Sequence, residues 1–89
     1  MQTTLLNISS ILHQEDIEGL LAIGAPDDEY ESEAAEIAAA VAALEPSELT
    51  VVNIIAIVSQ IWSRSFNLSA VDMQLRAGAI THAAQAILA

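Results

Sequence analysis

Gly24-Ala25-Pro26 interrupts what is otherwise a chain of helix-forming sequence. Proline has no amide hydrogen and locks its φ, and glycine enters left-handed backbone without a Cβ penalty, so a helix entering this tripeptide must stop and turn. Around it, Asp16–Ala35 (DIEGLLAIGAPDDEYESEAA) holds Gly19 and Gly24, two of the three glycines, together with Tyr30, the only tyrosine. Any fold of the chain has to be built on either side of this corner.

Before the corner, Leu5, Ile8, Ile11 and Leu12 recur at helical spacing and predict a first amphipathic helix from about Thr4 to His13. Asp16 is the expected N-cap of a short helical turn carrying Ile17, Leu20 and Leu21, which Gly24 ends as a left-handed C-cap. After the corner, a second helix is predicted to begin at Asp27 or Asp28, with acids in its first turn complementing the helix dipole. Tyr30, Ala34, Ile37, Val41 and Leu44 step by four, three, four and three, one buried stripe, until Glu45-Pro46 ends it.

A third helix is expected from Pro46 or Ser47 to about Phe66. It carries two stripes: Leu49, Val52, Ile55, Val58 or Ser59, and Trp62 on one, and Val51, Ile54, Ile57 and Ile61 on the other. The β-branched content would suit a strand, but length and flanking caps favour helix, and an apolar surface this wide predicts a central one. Ser69-Ala70-Val71-Asp72 has the form of a capping box opening a fourth helix to about Leu88. Gly78 in its interior is about 1 kcal/mol less favourable than alanine, which suggests a close helix contact there.

Charge divides the chain unevenly. Residues 15–36 carry Glu15, Asp16, Glu18, Asp27, Asp28, Glu29, Glu31, Glu33 and Glu36 with no base among them, nine of the twelve acids in a chain of net charge −10. Such a potential repels phosphate backbones and so excludes direct nucleic-acid binding, while attracting a basic protein surface. No apolar stretch approaches the ~20 residues of a bilayer span, and Met1-Gln2-Thr3-Thr4 lacks the basic start of an export signal, so a cytoplasmic protein is expected.

The catalytic inventory is thin. There is no cysteine or lysine, and His13 and His82 stand in no nucleophile context. Glu33 and Glu36 are not followed by the histidine a di-iron bundle requires, and Asp27–Glu31 lacks the sixth-position glycine and terminal glutamate of a calcium loop. The expectation is no enzyme, no metal and no cofactor. Capping explains one or two of the acids at the corner, each interaction contributing about 0.3–1 kcal/mol. The surplus points either to solubility or to a basic partner. Tyr30 could anchor such an interface, but it also heads the Ile37–Val41 stripe, and the periodicity favours a core role.

Asp16, Glu18, Gly19, Leu20 and Leu21, then Gly24, Ala25, Pro26, Asp28, Glu29 and Tyr30, then Glu33 and Ile37, resemble the signature of a family of small, acidic, all-helical bacterial proteins classed as a domain of unknown function. Ile17 stands where that family usually has proline. Related versions occur among proteins thought to be immunity partners of secreted bacterial toxins, so the resemblance implies a helical fold and, in its sharpest form, an immunity-type inhibitor.

These readings predict a single all-α domain over 1–89, a compact bundle of about four helices with a short helical turn between the first two. They predict a non-enzymatic binding protein whose candidate site is Asp28, Glu29, Tyr30, Glu31, Glu33 and Glu36, facing a basic partner. The alternative is an accessory subunit recognised through apolar helix faces. Excess apolar surface on the fourth helix further predicts a homodimer.

Overall fold

A computed structural model of the chain describes residues 5–26 and 28–89, and Thr4 and Asp27, the expected first residues of two helices, lie outside it. Four α-helices follow in order: α1 (Leu5–Glu15), α2 (Glu31–Ala42), α3 (Val51–Phe66) and α4 (Ala70–Leu88). The fold is the expected all-α bundle. α1 packs on α2, α2 on α3, α3 on α4, and α4 back on α1, so the helices close a ring around one core. Ile8 and Leu12 of α1, Ala34, Ile37 and Val41 of α2, Ile54, Val58, Ile61 and Trp62 of α3, and Ile80, Ala84 and Ile87 of α4 fill it. Apart from the adjacent Ile61 and Trp62, neighbouring members of each group are three or four residues apart, the positions that one helical face presents to a core.

Each helix end has a local cause. Asp16 takes a left-handed conformation (φ 43°) just after α1, which aspartate tolerates better than most residues. The segment 17–24 then winds in tight turns, with Ala25 N–H returning to the Leu20 carbonyl at 2.9 Å around Gly24 at φ 100°. Gly24 is therefore the left-handed terminator that its place before Pro26 predicts. Asn67 (φ 52°) ends α3 in the same way, the Leu68 N–H closing on the Ser63 carbonyl at 3.0 Å. The Ser69–Asp72 capping box is present, each side chain bonding the other's backbone amide at 3.1 Å.

Four expectations are corrected. α2 starts at Glu31, not at Asp27 or Asp28. Backbone bonds from Glu29 N–H to the Pro26 carbonyl and from Glu31 N–H to the Asp28 carbonyl make successive tight turns there, and Tyr30 holds the N-cap position with no side-chain cap bond. α3 starts at Val51 behind a separate 3-10 turn, Pro46–Glu48, because the Thr50 hydroxyl accepts from Asn53 N–H and caps the helix at that point. α3 is a wall of the ring, not its centre: its buried residues form one face, drawn from both predicted stripes, and Val52 is 74% exposed. Gly78 makes no close contact within the chain, since a Cβ built there would meet nothing within 4 Å.

Candidate functional site

The segment between α1 and α2 is a strap held to the bundle by two carboxylates on adjacent turns. Asp16 receives Leu21 N–H on Oδ1 and Ala22 N–H on Oδ2, each at 3.0 Å, and the Tyr30 hydroxyl at 2.6 Å. These bonds reach five and six residues downstream from a left-handed backbone, so Asp16 is not the N-cap of a turn at Ile17 but a brace across it. Glu18 reaches across to the far side of the ring. Its Oε1 accepts from the Trp62 indole N–H at 2.8 Å and from Arg76 Nε, and its Oε2 accepts from Arg76 Nη2 at 3.0 Å. A fork-to-fork pair of this kind is the strongest geometry available to arginine and carboxylate. Arg76 is itself oriented by donating Nη1–H to the Asp72 carbonyl at 2.9 Å.

Under the strap lie all three aromatic residues. Trp62 sits 5.5 Å from Tyr30 and 5.0 Å from Phe66 between ring centroids, and Tyr30 meets Phe66 edge-on at 6.4 Å. These tilted and edge geometries suit the ring quadrupoles. Trp62 is fully buried and Tyr30 is 3% exposed. Ile17, Leu20 and Leu21 of the strap are partly buried against the core.

The two anchors set a pH window. The Arg76 guanidinium first, and then the Trp62 N–H, hold Glu18 below its ordinary 4.5, and the Tyr30 hydroxyl holds Asp16 below its ordinary 3.8. Carboxylates that ionise more readily in the folded chain than in the unfolded one stabilise fully above their ordinary values and lose that contribution as pH falls through the folded ones. Tyr30 behaves oppositely. Burial, and then the Asp16 carboxylate, push its phenol from 10.0 to about 12, so its contribution is complete below pH 10 and is lost as pH rises through about 12. Thermal unfolding followed by circular dichroism is expected to give a plateau between about pH 5 and 9 with a fall on each side. Asp16→Asn with Glu18→Gln should shorten the acid fall. An acid limb identical in that variant would mean that other carboxylates control it.

These anchors also divide the acids of residues 15–36. Asp16 and Glu18 belong to the strap. Glu15 Oε2 lies 2.6 Å from His82 Nδ1 on α4, tying the end of α1 to the last helix. Glu33 is 7% exposed, its Oε2 accepting from the Ser32 and Ser65 hydroxyls at 2.9 and 3.1 Å, while its Oε1 has no hydrogen-bond partner among the described residues. Structural bonding thus accounts for four acids that composition alone assigns to an undifferentiated acidic surface.

The six predicted site residues therefore separate. Tyr30 and Glu33 point into the bundle and are unavailable to a macromolecular partner. Asp28, Glu29, Glu31 and Glu36 are exposed. Glu31 is bonded by the Ser9 hydroxyl on the α1 side of α2, and Glu36 pairs with Arg64 Nη2 at 2.6 Å on the α3 side. Beside Glu36, the small side chains of Ala39 and Ala40 leave a groove of about 480 Å³ against Ile57, Ile61 and Gln60 of α3. Of these four acids, Glu36 borders this apolar trough, with Arg64 across from it. Among the described residues, no group of three or more histidines or acids is placed to hold a metal ion, and no helix is long and apolar enough to cross a membrane.

Sequence reasoning missed the Glu18–Trp62–Arg76 constellation. Its one sequence trace is Arg76 itself, one of only two basic side chains besides histidine in a chain with twelve acids. Comparison with known protein families, with curated proteins and with solved structures finds no match.

Proposed function

We propose that this chain is a non-enzymatic, cytoplasmic protein-binding module that presents Asp28, Glu29, Glu31 and Glu36 to a basic partner. The observation that carries the reading is the sorting of the acids. Among the described acids of residues 15–36, those with partners in the core, the strap or α4 are spent on the fold, and the exposed ones lie on α2 and the turn before it, with Glu36 at the α2–α3 groove. A partner's arginine or lysine can pair with Glu36 while its aliphatic stem lies in the groove. The Arg64–Glu36 pair is exposed on both sides, so exchanging it for an intermolecular pair costs little.

The sharpest form of this reading is an immunity-type inhibitor of a nuclease-like toxin, because a basic substrate groove is the natural complement of such a face. Calorimetric titration with a basic nuclease toxin domain is expected to show affinity falling about tenfold or more between low and moderately high salt. The triple variant Asp28→Asn, Glu29→Gln, Glu31→Gln should show a loss of similar size at low salt. An affinity indifferent to both salt and the triple variant would remove the acidic face as the binding surface.

A further inference from the structure

We propose that the outward face of α4 is a docking surface for a second copy of this chain, crossing α4 against α4 at Gly78. Val71 and Leu75 lie one turn apart on this face, 65% and 79% exposed, and Gly78 and His82 continue it. Gly78 is the residue that needs explaining. A glycine in a helix interior is less favourable than alanine, its φ here is not positive, and a Cβ at this position would meet nothing within the chain. Neither backbone conformation nor intramolecular packing calls for it. The close approach of another helix does, because a missing Cβ lets two axes come to the short end of the usual 8–10 Å separation.

Charge selects the occupant. Residues 1–48 carry eleven acids and no arginine or lysine, whereas residues 49–89 carry Arg64, Arg76 and Asp72, for −11 and +1 respectively. The exposed face through Val71, Leu75 and Gly78 has no acid on it. Asp72 is turned to the Ser69 cap, Arg76 to Glu18, and His82 is held by Glu15. A basic partner has nothing to recognise here. A second copy, which repels the first through its acidic half, can approach on this side with the two acidic halves held apart.

Gly78 is within one residue of the midpoint of the nineteen-residue α4. A two-fold axis between Gly78 and Ala79 makes an antiparallel crossing that sets Leu75 of each copy near position 82 of the other and Val71 near Ala86, so the same patch serves both partners. One helix pair of about 28 Å buries less than the ~1,600 Å² of a standard interface, so the dimer is weak, with a dissociation constant of tens to hundreds of micromolar.

Sedimentation equilibrium of the full chain, up to about 500 µM, tests this directly. The expected weight-average mass rises with concentration from 9.4 kDa toward twice that value. Leu75→Glu should weaken association at least about tenfold. Gly78→Leu should do the same while remaining folded by circular dichroism, since its side chain enters open space and leucine is a better helix former. A mass of 9.4 kDa at every concentration would overturn the proposal. So would a dimer untouched by either change, or one lost with Val52→Glu on α3 but retained with Leu75→Glu.

Discussion

Truncating Trp62 to alanine is expected to lower the unfolding free energy by about 3–5 kcal/mol, measured by chemical denaturation followed by far-ultraviolet circular dichroism. Trp62 is the largest fully buried side chain in the core, and it joins α3 to the strap as well as to Tyr30 and Phe66. Domains of this size are stable by only about 5–10 kcal/mol in total, so the variant should sit near the edge of folding at room temperature. Trp62→Phe should recover most of the loss, because it restores the ring volume and leaves Glu18 paired with Arg76. If the phenylalanine variant is as unstable as the alanine one, the indole N–H, not the ring, is what the site depends on.

Removing the acceptor from the other side gives the second large effect. Glu18→Ala leaves the buried Trp62 N–H without a partner, and an orphaned buried donor costs about 1–3 kcal/mol. Glu18→Gln should lose less, since its amide oxygen still accepts from the indole. Arg76→Met should move the acid limb of stability to higher pH, because the guanidinium is the first cause of Glu18's lowered pKa. A double change, Glu18→Gln with Arg76→Met, should be more stable than Arg76→Met alone, which leaves a carboxylate facing the core uncompensated. Equal stability of the single and double variants would show that Glu18 is solvated without its arginine.

Local chemistry explains which parts of this fold were legible. Stripes such as Ala34–Ile37–Val41 and caps such as Ser69–Asp72 depend on residues three or four apart, so sequence spacing reports them directly. Acids before a helix look the same whether they lie in its first turn or in the turns that precede it, so sequence places the start of α2 too early, at Asp27 or Asp28 instead of Glu31. Pro46 suits the first position of helices and 3-10 turns alike, and here it opens only the separate turn before the Thr50 cap of α3. The Glu18–Arg76 pair spans 58 residues and the Glu15–His82 pair 67. No periodicity connects positions so distant, and the division of the acids into structural and exposed sets follows from those pairs. Glu33 shows the same limit: it is an acid on an otherwise apolar face, kept there by Ser65 on a different helix.

The same long-range pairs constrain the order of assembly during synthesis. As the chain is made, α1, the strap and α2 can form the Asp16–Tyr30 contact early, since its two ends are only 14 residues apart. Glu18 and Glu15 wait for Arg76 and His82, which follow more than fifty residues later. Until α4 appears, one wall of the ring is missing and Ile8, Leu12 and Val58 face water instead of Ile80, Ala84 and Ile87. Closing the ring therefore waits for α4, which completes the core and brings Arg76, the partner that latches the strap through Glu18.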